Sequence, residues 1–206
     1  MGRFIEIFSL YELACVLLPC LLYAACRRAK ERRAGRRIPG VYLGWICVFW
    51  VYLWMVFDVT GVGTLEDIMR NMPDVIMGGV NLVPFDSLGI GLALNVVMFM
   101  PFGFLLPLIF KDSRSFWKTV SAGAVLSLTI ELSQLLNYRT TDVDDLMANT
   151  CGACIGYLVW HAFTKIAGER LFAAEERKRE ALRYVFLAMA GVFFLYRPLS
   201  VINRMM

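Results

Sequence analysis

Stretches of about 20 mainly apolar residues recur along this chain with little soluble sequence between them, and that is the length at which an α-helix crosses the hydrocarbon core of a bilayer. Six such runs fall at about residues 4–26, 41–60, 88–110, 117–138, 146–163 and 184–202. The first run carries Glu6 and Glu12, so five spans plus an interfacial segment is the alternative count. Composition agrees with either. The 206 residues are 59% hydrophobic and 18% charged, against about 45–50% and about 25% in soluble domains, and the mean hydropathy is +0.61. The expected fold is an all-α integral membrane protein, which excludes soluble and disordered classes.

Charge placement predicts the orientation, because cytoplasmic loops retain Lys and Arg. Seven basic residues follow the first run (Arg27, Arg28, Lys30, Arg32, Arg33, Arg36 and Arg37), three lie between the third and fourth (Lys111, Arg114 and Lys118), and six follow the fifth, from Lys165 to Arg183. Together they make 16 of the 21, and the other five are Arg3, Arg70, Arg139, Arg197 and Arg204. This alternation predicts six spans with both termini outside. The net charge of +4 then divides into +10 with the inner loops and −6 with the rest. Basic residues directly after the first run also argue that it stays in the membrane and is not cleaved as a signal. The loops read as topology signals, and nothing in them calls for a nucleic-acid partner.

The only long connection, residues 61–87, is expected outside. Thr64 and Asp67 have capping-box spacing, and Leu65, Ile68, Met69 and Met72 share one helical face, so a short interfacial amphipathic helix is predicted over about 64–72. Pro73, Gly78, Gly79 and Pro84 are expected to break regular structure beyond it. Residues 164–206 read as a cytoplasmic amphipathic segment leading into the last span.

Several chemical-looking signals are discounted. Cys151 and Cys154 form a CxxC, but beside Gly152, Ala153 and Gly156 they read as small residues for close helix packing. His161, the one histidine, cannot build a multi-histidine zinc site. Gly61 and Gly63 lack the third glycine, strand and helix of a phosphate-binding loop.

Polar residues inside spans are costly, so each is a functional hypothesis. Ser127, Glu131, Gln134 and Tyr138 fall at spacings of 4, 3 and 4 on one predicted stripe of the fourth span. The turn from Arg139 through Asp142, Asp144 and Asp145 follows, and Asp145, Asn149, Gly152 and Gly156 continue the stripe down the fifth span. Asn95 sits in the outer part of the third, between Asn81-Leu82-Val83-Pro84-Phe85 and the group Phe99, Pro101, Phe102 and Gly103, where a kink is expected. The bland account is a helix cap from Asp144 or Asp145, an Arg139–aspartate pair, and amides that tie the bundle together. Glu131 and three aspartates exceed what one arginine neutralises. A bound divalent cation, a protonated Glu131 or a cationic ligand would balance the excess.

Taken in order, these pieces resemble the VanZ-like family, named for an accessory teicoplanin-resistance protein of glycopeptide-resistance clusters. The resemblance covers about residues 41–163, with Asn81 to Phe85, Asn95 with Phe99 to Gly103, Glu131 with Gln134, and the run Arg139, Asp142, Asp144, Asp145, Asn149, Gly152 and Gly156. Residues 1–40 and 164–206 fall outside it as additional spans. The resemblance implies a protein of the bacterial cytoplasmic membrane, in some members associated with lowered susceptibility to teicoplanin and related lipoglycopeptides.

The leading expectation is an outward-facing polar pocket, among membrane lipids, for the head of an amphiphile: a lipid-linked envelope component or a lipoglycopeptide. Arg139 would meet an anionic group such as phosphate, and Asn81, Asn95, Gln134 and Asn149 would hydrogen-bond it. Glu131, Asp142, Asp144 and Asp145 would hold a divalent cation, or Glu131 and Asp142 would do acid/base work. The rivals are an intramembrane carboxylate- or metal-dependent enzyme acting on a lipid-linked substrate, a transporter or flippase, and a purely structural bundle.

Overall fold

A computed structural model of the chain describes residues 2–76, 78–86, 89–167 and 179–196, and residues 2–9 by backbone only. The described elements are α1 (Gly2–Arg33), α2 (Gly40–Thr60), α3 (Leu65–Asn71), β1 (Val80–Asn81), α4 (Ile90–Ile109), α5 (Phe116–Gln134), β2 (Thr141–Asp142), α6 (Val143–Ala167) and α7 (Glu180–Leu195). Six long helices therefore stand where the six apolar runs stand, and α3 occupies the expected interfacial position. It carries the expected capping box: the Thr64 amide donates to Asp67 Oδ2 at 2.8 Å, and Thr64 Oγ1 accepts from the Asp67 amide. The surface segment expected over about 169–183 and the end of the last span lie largely outside the described residues.

By length and composition, three segments are apolar enough to cross a membrane: Leu10–Arg33, Gly40–Asn71 and Ile90–Ile109. The helices α5 and α6 carry the polar residues of the hairpin, and α7 has 16 residues. Large apolar side chains such as Leu18, Val48, Met55, Leu94, Val97, Leu128, Leu158 and Phe186 point outward. A soluble monomer does not expose apolar surface on this scale, whereas hydrocarbon solvates it. Inside, Ile46, Phe49, Leu53, Phe57, Phe99, Phe102, Phe110, Ile130 and Tyr184 form one core.

The long helices alternate in direction, so the bundle has two chemically distinct ends. At one end Arg27 meets Glu180, Tyr42 packs on Phe110, and the Tyr157 hydroxyl donates to the Arg114 carbonyl at 3.0 Å. At the other, Gln134 reaches Thr60 and Asn95 reaches Asp145. The first is the basic end and the second the hairpin end.

Glycines set the closest helix pair. A Cβ at Gly103 would strike the Ala153 carbonyl, one at Gly152 the Val96 carbonyl, and one at Gly156 the Met100 carbonyl. Bare backbone on both helices lets α4 and α6 approach until their main chains touch. This contact sets Asn95 beside Asp145. Cys151 and Cys154, beside these glycines, are free thiols.

The structure differs from the sequence reading in four places. Arg27 to Arg33 continue α1 and do not form a loop, since Arg and Lys are good helix formers. Tyr138 lies in the turn beyond α5, so the polar stripe ends at Gln134. The helix α4 runs unbroken through Pro101, Gly103 and Pro107, and Gly103 serves packing there. Residues 80–81, expected to be irregular, pair in parallel with residues 141–142, because two loops buried against each other satisfy their main-chain groups mutually. Of the two acids that count against a first span, Glu12 is buried against Asp58 of α2 and does not face lipid, and the Glu6 side chain lies outside the described residues.

Candidate functional site

The site is a knot between the connection after α3 and the α5–α6 hairpin. Its base is the β1–β2 pair, in which Val80 faces Thr141 and Asn81 faces Asp142. Glu131, 3% exposed, reaches up from α5 and accepts the Asp142 amide through Oε2 at 2.9 Å. One turn of backbone is held from the other side, where Thr141 Oγ1 donates to the Glu131 carbonyl at 2.8 Å. A buried carboxylate is thus satisfied by a main-chain donor, which is how an acid at this depth is accommodated.

Asp142 then starts α6. Its Oδ1 accepts the Asp144 amide at 2.9 Å and its Oδ2 accepts Asn81 Nδ2 at 3.2 Å. The helix cap is therefore Asp142, whereas the sequence reading placed it at Asp144 or Asp145; the first helical residue is Val143, so Asp142 holds the position from which a side chain reaches the second amide. Asp144, 1% exposed, accepts the Phe85 amide at 2.7 Å, and Asn81 Oδ1 accepts the Val83 amide at 3.1 Å. Together they fix the Asn81–Phe85 segment, where Phe85 holds a φ of 66°. Asn95 Nδ2 donates to Asp145 Oδ1, tying α4 to α6. Asp145 precedes the fifth apolar run, and its carboxyl is pushed up by burial first and by the Asp142 charge second, opposed by the Asn95 hydrogen bond and the Arg139 charge.

Two expected ligand contacts lie deeper. Gln134, 4% exposed, donates through Nε2 to the Thr60 carbonyl at 2.8 Å, and Asn149, 2% exposed, donates to Ser127 Oγ at 2.9 Å. Both tie helices together. Among the described residues no three acidic, cysteine or histidine side chains gather as a metal-ligand group.

Among the described residues, Arg139 joins this network only through its charge acting on Asp145. Its side chain is exposed, with no ion-pair partner among the described residues, and the guanidinium lies over Gly61, whose φ of 61° and missing Cβ make room for it. Beside it opens a cavity of about 380 Å³, lined by Gly61, Thr64, Asp67, Arg70, Asn137 and Arg139. Arg70 is paired with Glu66 and Asp67 is committed to the α3 cap, which leaves Arg139 as the cation at this opening that has no ion pair among the described residues.

The sequence reading missed the residues that hold the turn in place. Asn137 Nδ2 donates to the Gly61 carbonyl at 3.0 Å and Oδ1 accepts the Arg139 amide at 2.9 Å. The Gly63 amide donates to Ser133 Oγ at 3.2 Å, and Gly78 packs on the Gln134 and Arg139 carbonyls. The available signal was the glycine content of the long connection. As a phosphate loop it failed, but as closely approached backbone it holds.

Fold and site define a polytopic helical membrane protein with a loop knot at one end of its bundle. The sequence profile of the VanZ/LLP1 family matches residues 42–164, and the chain belongs to that family. The matched stretch holds every residue of the knot and leaves out α1 and α7. Protein VanZ of Enterococcus faecium is 38% identical over 79 residues, 37% of this chain and 48% of the relative, so the match spans about half of that protein's length. No solved structure matches.

Proposed function

We propose that the hairpin end faces outward from a bacterial cytoplasmic membrane, with both termini on that side, and binds the anionic head of an amphiphile, either a lipid-linked envelope component or a lipoglycopeptide. The observation that carries the reading is Arg139: an exposed cation without an ion-pair partner among the described residues, held over Gly61 at an open cavity by a turn that Asn137 fixes. A guanidinium presented in this way suits phosphate or carboxylate. Outward placement follows from the basic residues gathered at the opposite end.

Glu131, Asp142 and Asp144 act as positioning residues in this reading, since each accepts a main-chain amide of the knot. Those commitments favour binding over carboxylate catalysis or cation capture. Lowered susceptibility to teicoplanin, the property the family resemblance implies for some members, would follow if the bound head belongs to the drug or to the envelope component it targets. The test is to complement a null strain with Arg139→Ala and Glu131→Gln at matched membrane abundance, scoring teicoplanin susceptibility and the lipid-linked precursor profile. Loss of the wild-type effect in both is expected. Wild-type behaviour from both overturns the site.

A further inference from the structure

A second and larger cavity lies at the other end of the molecule. It is a cleft of about 790 Å³ where α7, packed on α1 and α2, stands off from α4 and α5. Its walls are apolar, with Phe102, Leu126, Val185 and Met189 among them, and its mouth is polar, with Lys118, Ser121 and Arg179. We infer that this cleft holds one acyl chain of an anionic phospholipid, with the lipid phosphate at Lys118 and Arg179.

The dimensions fit one leaflet. On α5 the lining runs from Lys118 to Thr129 and on α7 from Arg179 to Met189, about 15 Å on each wall at 1.5 Å per residue. That is about half of a 30 Å hydrocarbon core. Depth is registered by Trp117, which is 76% exposed in the first turn of α5. Tryptophan on the outside of a membrane helix sits at headgroup level, so the adjacent Lys118 stands where a phosphate would be and the cleft below it opens into hydrocarbon.

Charge selects the lipid. Asp112 at the mouth accepts Lys118 Nζ through Oδ1 at 2.8 Å and the Arg179 amide through Oδ2 at 3.1 Å. Glu180, the other acid in the lining, is paired with Arg27 and Arg183, so among the described residues two carboxylates, Asp112 and Glu180, face four cations, Lys118, Arg179, Arg27 and Arg183. Among the described residues the mouth therefore carries an excess positive charge, in a bundle end already rich in Arg and Lys, and basic pockets between membrane helices recognise anionic headgroups. This inference does not depend on the reading of the hairpin end.

The test uses the full chain in nanodiscs of phosphatidylglycerol or of phosphatidylcholine with the same acyl chains, with retained lipid counted by native mass spectrometry after transfer to detergent. One phosphatidylglycerol per chain is expected, held in preference to phosphatidylcholine. Lys118→Gln with Arg179→Gln is expected to weaken retention of the anionic lipid roughly fivefold or more, the scale of a lost charge-assisted contact. Ala122→Phe, which fills the cleft, is expected to abolish retention of both lipids; if that variant does not fold, Val125→Trp from the exposed edge of the cleft serves instead. Equal retention of the two lipids by the wild type, retention unchanged by the filling variant, or a lipid-free dimer that buries this face would each overturn the assignment.

Discussion

The two ends of the bundle satisfy buried charge in opposite ways. At the basic end, side chains pair with side chains: Arg27 and Glu180, 2% and 1% exposed, meet at 2.9 Å, with Tyr42 and Tyr23 as hydrogen-bonding neighbours and Arg183 at the edge. At the hairpin end, carboxylates accept main-chain amides: Asp142 caps its own helix, while Glu131 and Asp144 reach amides 11 and 59 positions away. The first arrangement locks helices α1, α2 and α7 against one another. The second locks backbone geometry and leaves one cation, Arg139, without an ion pair among the described residues. An ionic lock holds a scaffold together, whereas an amide-satisfied knot can present a shaped loop to a ligand.

The sharpest way to break this contrast is at Glu180. Glu180→Gln leaves Arg27 as a buried charge without its carboxylate, and removal of one partner from a buried pair costs about 3–5 kcal/mol. Thermal unfolding of the purified protein in detergent is expected to show that loss, and the double variant Arg27→Met with Glu180→Leu is expected to recover most of it. A single-variant cost under about 1 kcal/mol, the scale of an exposed pair, would mean that this end is solvated and the contrast false.

Next in size is the helix contact that supports the knot. Gly156→Val forces a side chain into the Met100 carbonyl, and overfilling of this kind costs about 1–3 kcal/mol. Gly91→Val on α4, where a Cβ meets nothing within 4 Å, is expected to stay within about 0.5 kcal/mol. The same melts compare the two. Equal effects would detach the close α4–α6 approach from the stability of the hairpin end.

The sequence made different parts of this arrangement legible to different degrees. Apolar runs of membrane length announce helices one by one, and the polar residues of α5, α6 and α4 stood out because such residues are rare in spans. The pairing of Asn81 with Asp142 was not legible, since it depends on two loops meeting across 61 positions, and no local periodicity encodes that. Arg27 was hidden for another reason. Among seven basic residues in one run, only the fold of α7 decides which one meets Glu180. Asn149 and Gln134 are unusual as amides within apolar runs, but spacing alone does not distinguish an amide that lines an opening from one that ties two helices together.

The smallest expected effect on stability is also the most diagnostic of role. Arg139 makes no ion pair among the described residues, and its guanidinium touches Gly61 from an exposed position. Arg139→Ala is therefore expected to move stability by less than about 0.5 kcal/mol, as for a surface substitution away from caps and cores. Asn81→Ala, by contrast, removes the donor to Asp142 and the acceptor of the Val83 amide, at about 1–2 kcal/mol for one partly buried and one exposed hydrogen bond. If Arg139→Ala instead destabilised the protein as much as Asn81→Ala, the arginine would belong to the knot. An arginine that can be removed without loss of the fold, yet whose loss removes the cellular effect, is one the structure keeps for a partner.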